Sequence, residues 1–283
     1  MALMLVVPVW AKKQPQAPVL TAEQEQQFTY YWYAARQAIE EQRFADAYSL
    51  LEFCDALKPN DAQTLAFLGV LYRGIGKDAE AAEAFKKAYE ADPANQWQNY
   101  LEPLKEQYVK AQNWKKAIAV QDEIDKRKGE MDAFSALTRY RIYAMWGKPK
   151  KAIAAIDKYL EAEPSDVRFL LFRLELMERT KAKKKELYAM YERILELDPS
   201  NLMILNNYAY LLATNGGDLN KAERMSEITI RENPNNPVFL DTYGWIMHLQ
   251  GQDELAKFYL NKALWNATDE NKKEIMQHLE AIK

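Results

Sequence analysis

Few side chains in this chain could do chemistry, and their spacing is poor for it. The 283 residues include two histidines, His248 and His278, and a single cysteine, Cys54. Neither histidine has a second histidine or a cysteine at ligand spacing, so the pattern points to no metal centre. There is no phosphate loop, no GxSxG elbow and no HExxH pair. Cys54 falls in a helical pattern at a position that reads as small and buried, a packed thiol rather than a nucleophile. Acid pairs such as Glu40-Glu41 and Asp122-Glu123 read as solvated helix faces. The expectation is a protein without catalysis, cofactor or metal, whose chemistry is recognition.

The elements that would position recognition residues are helices. Apolar residues make up 48% of the chain and glycine only 9 residues, a balance that suits long helices with a core. The stretch Ala62 to Pro93 sets the pattern. Leu65, Leu68 and Tyr72 share one face of a first helix, which Gly76 can close. Asp78 can cap a second helix, whose apolar face is Ala81, Phe85 and Ala88 and which Asp92-Pro93 ends. The same punctuation recurs. Pro59 and Pro93 are 34 apart, and Pro164, Pro199 and Pro234 follow at steps of 35, with Gly129 where one proline is missing. Two residues after the prolines stand Asp61, Asn95, Asp166, Asn201 and Asn236, all N-cap types. Twelve residues before each stop stand Ala47, Ala81, Ala117, Ala152 and Ala222; Ala256 continues the series and Leu187 alone breaks it. A small side chain at that phase lets two helix backbones approach closely.

A helix-turn-helix period near 34 residues resembles the tetratricopeptide repeat family. The second unit is similar to that family at Leu65, Leu68, Gly69, Tyr72, Ala81, Phe85, Ala88 and Pro93. The seventh is similar at Leu240, Gly244, Ala256, Leu260 and Ala263. The sixth keeps Tyr208, Ala209, Ala222 and Pro234 around an insertion at Gly216-Gly217, and it looks like the terminal units of exported bacterial members. The first, third, fourth and fifth units are degenerate. The resemblance spans about Thr21 to Ala267 and implies an all-α, right-handed solenoid of about seven helix pairs. A final helix over residues 268–283, with Ile275, Met276 and Leu279 on one side, reads as its cap.

The resemblance also implies a site. In this family the first helices line a concave groove that holds a peptide or protein partner. Carried over unit by unit, the inward positions include Trp32 and Arg36, then Val70 and Arg73, then Asn99, Glu102 and Glu106. Phe134, Leu137 and Arg141 come next, then Phe169, Phe172, Leu176 and Arg179, then Asn206 and Tyr210, and last Asp241, Trp245 and His248. Rings supply contact area, and Arg and Asn fix polar groups of a ligand. Phe169 and Phe172 read better as packing between units, whereas Trp32, Tyr210 and Trp245 read as groove. The family's clamp for a C-terminal carboxylate is not matched.

A second pattern is basic. Lys115 and Lys116, then Lys148, Lys150 and Lys151, then Lys181, Lys183, Lys184 and Lys185 fall in the turns between paired helices. They read as ordinary solvated turns or, as the alternative function, an edge that docks on lipid headgroups or an acidic protein, with peripheral membrane association. The net charge of −3 gives no general basic field for nucleic acid. Residues 1–20 carry the apolar run Met1 to Ala11 and the proline-containing linker Gln14 to Leu20. The run resembles the apolar part and cleavage end of a secretory signal, without the basic region that precedes one. It is too short to span a membrane. The expected setting is therefore the periplasm or cell envelope, or the cytoplasm if this run is not a signal.

Overall fold

A computed structural model of the chain describes residues 19–129 and 131–282; the apolar run Met1 to Ala11 and nearly all of the linker lie outside the described residues. Among the described residues there are fifteen α-helices and no strand. Seven consecutive pairs run from α1 (Ala22–Glu40) and α2 (Phe44–Leu57) to α13 (Pro237–Leu249) and α14 (Asp253–Asn266). A single helix, α15 (Asp269–Ala281), comes after them. The all-α class and the count of about seven pairs plus a cap are as the sequence implies. No described helix is long and apolar enough to cross a membrane.

The caps reflect residue type. Thr21 and Gln24 form a reciprocal capping box at α1. Asp61 at α3 (Ala62–Gly74), Asp166 at α9 (Val167–Arg179), Asn201 at α11 (Leu202–Thr214) and Asn236 at α13 each accept a backbone N–H from the first turn. Asn95 does not. Its backbone N–H and its side-chain amide both donate to Asp92, so the side chain is engaged backwards, and α5 (Trp97–Lys110) starts after Gln96 instead. Asp78 is also not the cap expected of it. Lys77 holds that place, and Asp78 is the first residue of α4 (Asp78–Ala91), where the helix dipole favours a carboxylate.

The turn within each pair has one construction. Its central residue has positive φ: Gln42, Gly76, Gln112, Gly147, Lys181, Gly216 and Gly251. The next residue donates its N–H to the carbonyl five positions back, as from Lys77 to Tyr72 at 2.8 Å and from Gln252 to Met247 at 2.9 Å. This is the Schellman closure, which satisfies orphan carbonyls at the helix end. Three of the seven turns achieve it without glycine.

Packing is tightest where the alanine series predicts. Ala47, Ala81, Ala117, Ala152, Ala222 and Ala256 are all fully buried. Leu187, the exception in the series, is buried at 7%. One turn beyond Ala81, the Phe85 ring would lie 2.8 Å from a Cβ at Gly69, so the glycine is required by close approach. The helices form two compact units divided between Tyr159 and Leu160. In the N-terminal unit, α1 packs on α2 and α3, and each helix from α2 to α6 (Trp114–Lys128) packs on the next. In the C-terminal unit, α11, α12 (Leu219–Glu232) and α13 form a continuous series with α14, and α15 rests on α13 and α14.

One part of the N-terminal core is polar. Lys105, only 5% exposed, donates to Gln121 at 3.0 Å and also pairs with Glu102. Gln121 in turn contacts Ser135 on α7 (Ala133–Met145), and Asp125 ties Ser135 to Arg139. Glu123 corrects another expectation. It accepts from Tyr89 at 2.7 Å and from Arg127 at 2.8 Å with its side chain 14% exposed, so it is an interhelical tie rather than a solvated acid. Its neighbour Asp122 keeps a solvated face but pairs with Arg139.

Candidate functional site

In the N-terminal unit the residues named from the sequence line an open cleft. One hollow of about 350 Å³ is bounded by Trp32 from α1, Gln63, Phe67 and Val70 from α3, and Asn99 and Tyr100 from α5. A second hollow of about 440 Å³ continues it past Val70, Arg73, Asn99, Glu102, Pro103 and Glu106. First helices of three successive pairs therefore supply the walls. Trp32 stands edge-on to Phe67 with ring centres 5.1 Å apart, which fixes its plane. Its Nε1 is buried and has no partner, and neither has the Tyr100 hydroxyl. Pro103 sits inside α5 and has no N–H, so the Asn99 carbonyl receives no helical bond from it. Arg73 and Glu106 meet loosely at 3.5 Å on the exposed rim. Gln63, Phe67 and Tyr100 were not among the residues named from sequence; each lies on a first helix beside one that was.

The remaining N-terminal residues are dispersed. Arg36 is exposed and pairs with Glu40, and Arg141 is exposed on α7. Phe134 is 58% exposed, with the Lys105 and Lys128 ammonium groups 5.7 and 5.5 Å from its ring. Lys115, Lys116, Lys148, Lys150 and Lys151 lie at the surface beside the pair turns. Several lie against rings, Lys116 on Tyr108 and both Lys148 and Lys151 on Trp146. Cys54 is fully buried, and burial pushes its thiol up to about 11, which agrees with a packed thiol.

In the C-terminal unit the named residues come together, but under a lid. The expected row of Asn206, Tyr210, Asp241 and Trp245 is contacted by α15. His278 stacks on Trp245 with centres 4.3 Å apart and planes 20° apart. Its Nδ1 lies 2.8 Å from Asp241 Oδ1. The Tyr210 hydroxyl donates to Glu274 at 3.1 Å. Burial pushes Tyr210 up to about 12 and raises Asp241 above the usual carboxylate range, against the lowering effect of His278. Asn206 is 2% exposed. His248 is engaged with Asp253 at 2.7 Å. The buried side of α15 is Ile275 and His278, with Ile282 buried just after the helix; Met276, expected there, is 48% exposed. His278 reads as a lone histidine in the sequence because its partner is 37 residues away, off the repeat period. Phe169 is buried, which agrees with the packing reading, and its ring meets Phe172 edge-on at 6.0 Å. Arg179 is exposed and pairs with Glu175. Lys183, Lys184 and Lys185 lie at the surface at the start of α10 (Lys184–Leu197).

Helix pairs closed by a Schellman turn, six of the seven with a fully buried alanine on the second helix, define a helical-repeat protein of the kind that contacts other proteins. Models of the tetratricopeptide repeat match residues 62–95, which hold α3 and α4, and residues 190–224, which hold α11 and the start of α12. The chain is a tetratricopeptide repeat protein, matched as such at two of its repeats, and no enzyme family is indicated. Among solved structures it is similar to a tetratricopeptide repeat protein from Parabacteroides merdae, with 19% identity over 91% of this chain and 99% of that one and a TM-score of 0.47. It is also similar to MamA from Desulfovibrio magneticus RS-1, with 17% identity over 62% of this chain and 97% of that one and a TM-score of 0.46. No curated protein matches it.

Proposed function

We propose that this protein is a non-catalytic scaffold that captures an extended segment of a partner protein in the N-terminal cleft. The observation that carries the reading is the pair of adjoining hollows along α1, α3 and α5, lined by Trp32, Val70, Arg73, Asn99, Glu102 and Glu106. An apolar ligand side chain would enter between Trp32, Phe67 and Val70. Ligand backbone N–H groups have the Asn99 amide and carbonyl oxygens to meet, and ligand carbonyls have the exposed Arg73 guanidinium. Helices hold these groups before the ligand arrives, which lowers the ordering cost of binding. The proposed setting is the bacterial cell envelope, on the strength of the apolar run Met1 to Ala11; protein from cells should then begin near Lys12.

A peptide library displayed against the full chain tests the reading. Selected peptides should bind the wild type and lose roughly tenfold or more on Asn99→Ala with Arg73→Ala. Peptides that bind this variant undiminished would remove the cleft from the account. The rival use of the exposed lysines as an anionic-surface dock differs in its salt response. Docking through lysines weakens steeply with ionic strength, and cleft capture through rings does not.

A further inference from the structure

We propose that Asp241, Glu274 and His278 form a binding site for a divalent transition-metal ion of the zinc type, independent of the cleft in the N-terminal unit. One ligand atom from each of the three lies within 4.8 Å of the others. A tetrahedral ion with bonds near 2.0–2.1 Å holds its ligands about 3.3 Å apart, so small side-chain rotations complete the set. One imidazole with two carboxylates is a nitrogen and oxygen donor set that suits zinc and its neighbours over magnesium or calcium.

The site is built and not merely clustered. Glu274 and His278 are four residues apart on α15 and share a face, while Asp241 comes from α13. The Trp245 ring stacked on His278 sets the imidazole plane, and the Tyr210 hydroxyl orients Glu274. A second observation points to a ligand. Asn206, 2% exposed, lines the same hollow of about 300 Å³ as Asp241 and Glu274, and its buried Oδ1 has no hydrogen-bond partner. A carbonyl oxygen without a donor is costly to bury, and it is a fit fourth ligand or a partner for a metal-bound water. The Glu274 carboxylate also repels the charge on Asp241, a repulsion that a dication removes. On binding, the His278–Asp241 contact is exchanged for bonds to the ion, and the neutral imidazole carries its one proton on the ring nitrogen that does not bind.

The experiment uses the untagged full chain after chelator treatment. Calorimetric titration with Zn²⁺ should give one saturable site. Co²⁺ should give visible absorption bands of a low-coordinate site, and Mg²⁺ should give no saturable heat. Glu274→Gln alters an exposed residue and leaves the His278–Asp241 contact in place. It should weaken Zn²⁺ about tenfold or more while the metal-free melting temperature stays put. His278→Gln should abolish the Co²⁺ bands, and His248→Gln should leave them unchanged. The proposal is overturned by no saturable Zn²⁺ binding below about 1 mM. It is equally overturned by Zn²⁺ affinity that Glu274→Gln leaves unaltered, or by Mg²⁺ binding as tight as Zn²⁺.

Discussion

The same helix face meets different fates in the two units. In the N-terminal unit the first-helix residues Trp32, Val70, Arg73 and Asn99 border an open cleft, with polar atoms lacking partners. In the C-terminal unit the equivalent residues Tyr210, Asp241 and Trp245 are contacted by α15, and their polar groups are matched by Glu274 and His278. Repeat position therefore sets which way a side chain points, but not whether it is available. Availability is decided by the helix beyond the last repeat. In this chain that capping helix brings its own acid and imidazole to groove positions and leaves a partly covered hollow where an open face would be.

The sharpest test of that contrast is to empty the covered face. Tyr210→Ala with Trp245→Ala should cost about 3 kcal/mol in urea unfolding, because the rings support α15. A melting curve identical to wild type would mean that the C-terminal face is as free as the N-terminal one. Next in size is the reactivity of Cys54, which lies in the pair beneath the open face. With its thiol near 11 rather than 9, native alkylation at pH 8 should run about a hundredfold slower than in urea. Fast labelling would show that the open unit loosens where the covered one does not. Ala81→Leu and Ala222→Leu, one in each unit, should each cost about 1–3 kcal/mol by overpacking, and Glu80→Leu little. A large difference between the two alanines would locate the tighter unit. The smallest stability effect belongs to Asn99→Ala with Arg73→Ala, within about 0.5 kcal/mol, since the exposed rim supports nothing.

pH offers one more lever on the covered face. The Asp241 carboxyl is raised in the folded chain, so the native state holds its proton more tightly than the unfolded state does. Stability from this group is fully present below the usual carboxylate value of 3.8 and is lost as pH rises through the raised one. Asp241→Asn should remove that slope from the unfolding profile between those limits. An unchanged slope would assign it to other carboxylates.

Much of the fold was legible because its signals are local or periodic. The alanine series reports where two backbones meet, and all six alanines are buried. Asp61, Asp166, Asn201 and Asn236 cap helices because a short side-chain acceptor in extended backbone has little else to do. Asn95 failed by one competing contact, with Asp92, that periodicity does not register. The N-terminal cleft was legible through Val70, Arg73 and Asn99 for the same periodic reason. The C-terminal site was not, because Asp241 and His278 meet through a helix outside the repeat. The buried chain from Lys105 through Gln121 to Ser135 was also invisible, since helical patterns read lysine and glutamine as outward.

The pair turns have a mechanical consequence. Gln42, Gln112 and Lys181 occupy the left-handed region that glycine occupies at Gly76, Gly147, Gly216 and Gly251. Each costs roughly 1 kcal/mol in conformational energy for a side chain there. The first, third and fifth pairs are thus hinged on sprung joints, and the second and fourth between them on relaxed ones. Amide exchange should begin at the sprung joints, where opening releases that energy. Compliance would then alternate from the first pair to the fifth, whereas the sixth and seventh both turn on glycine.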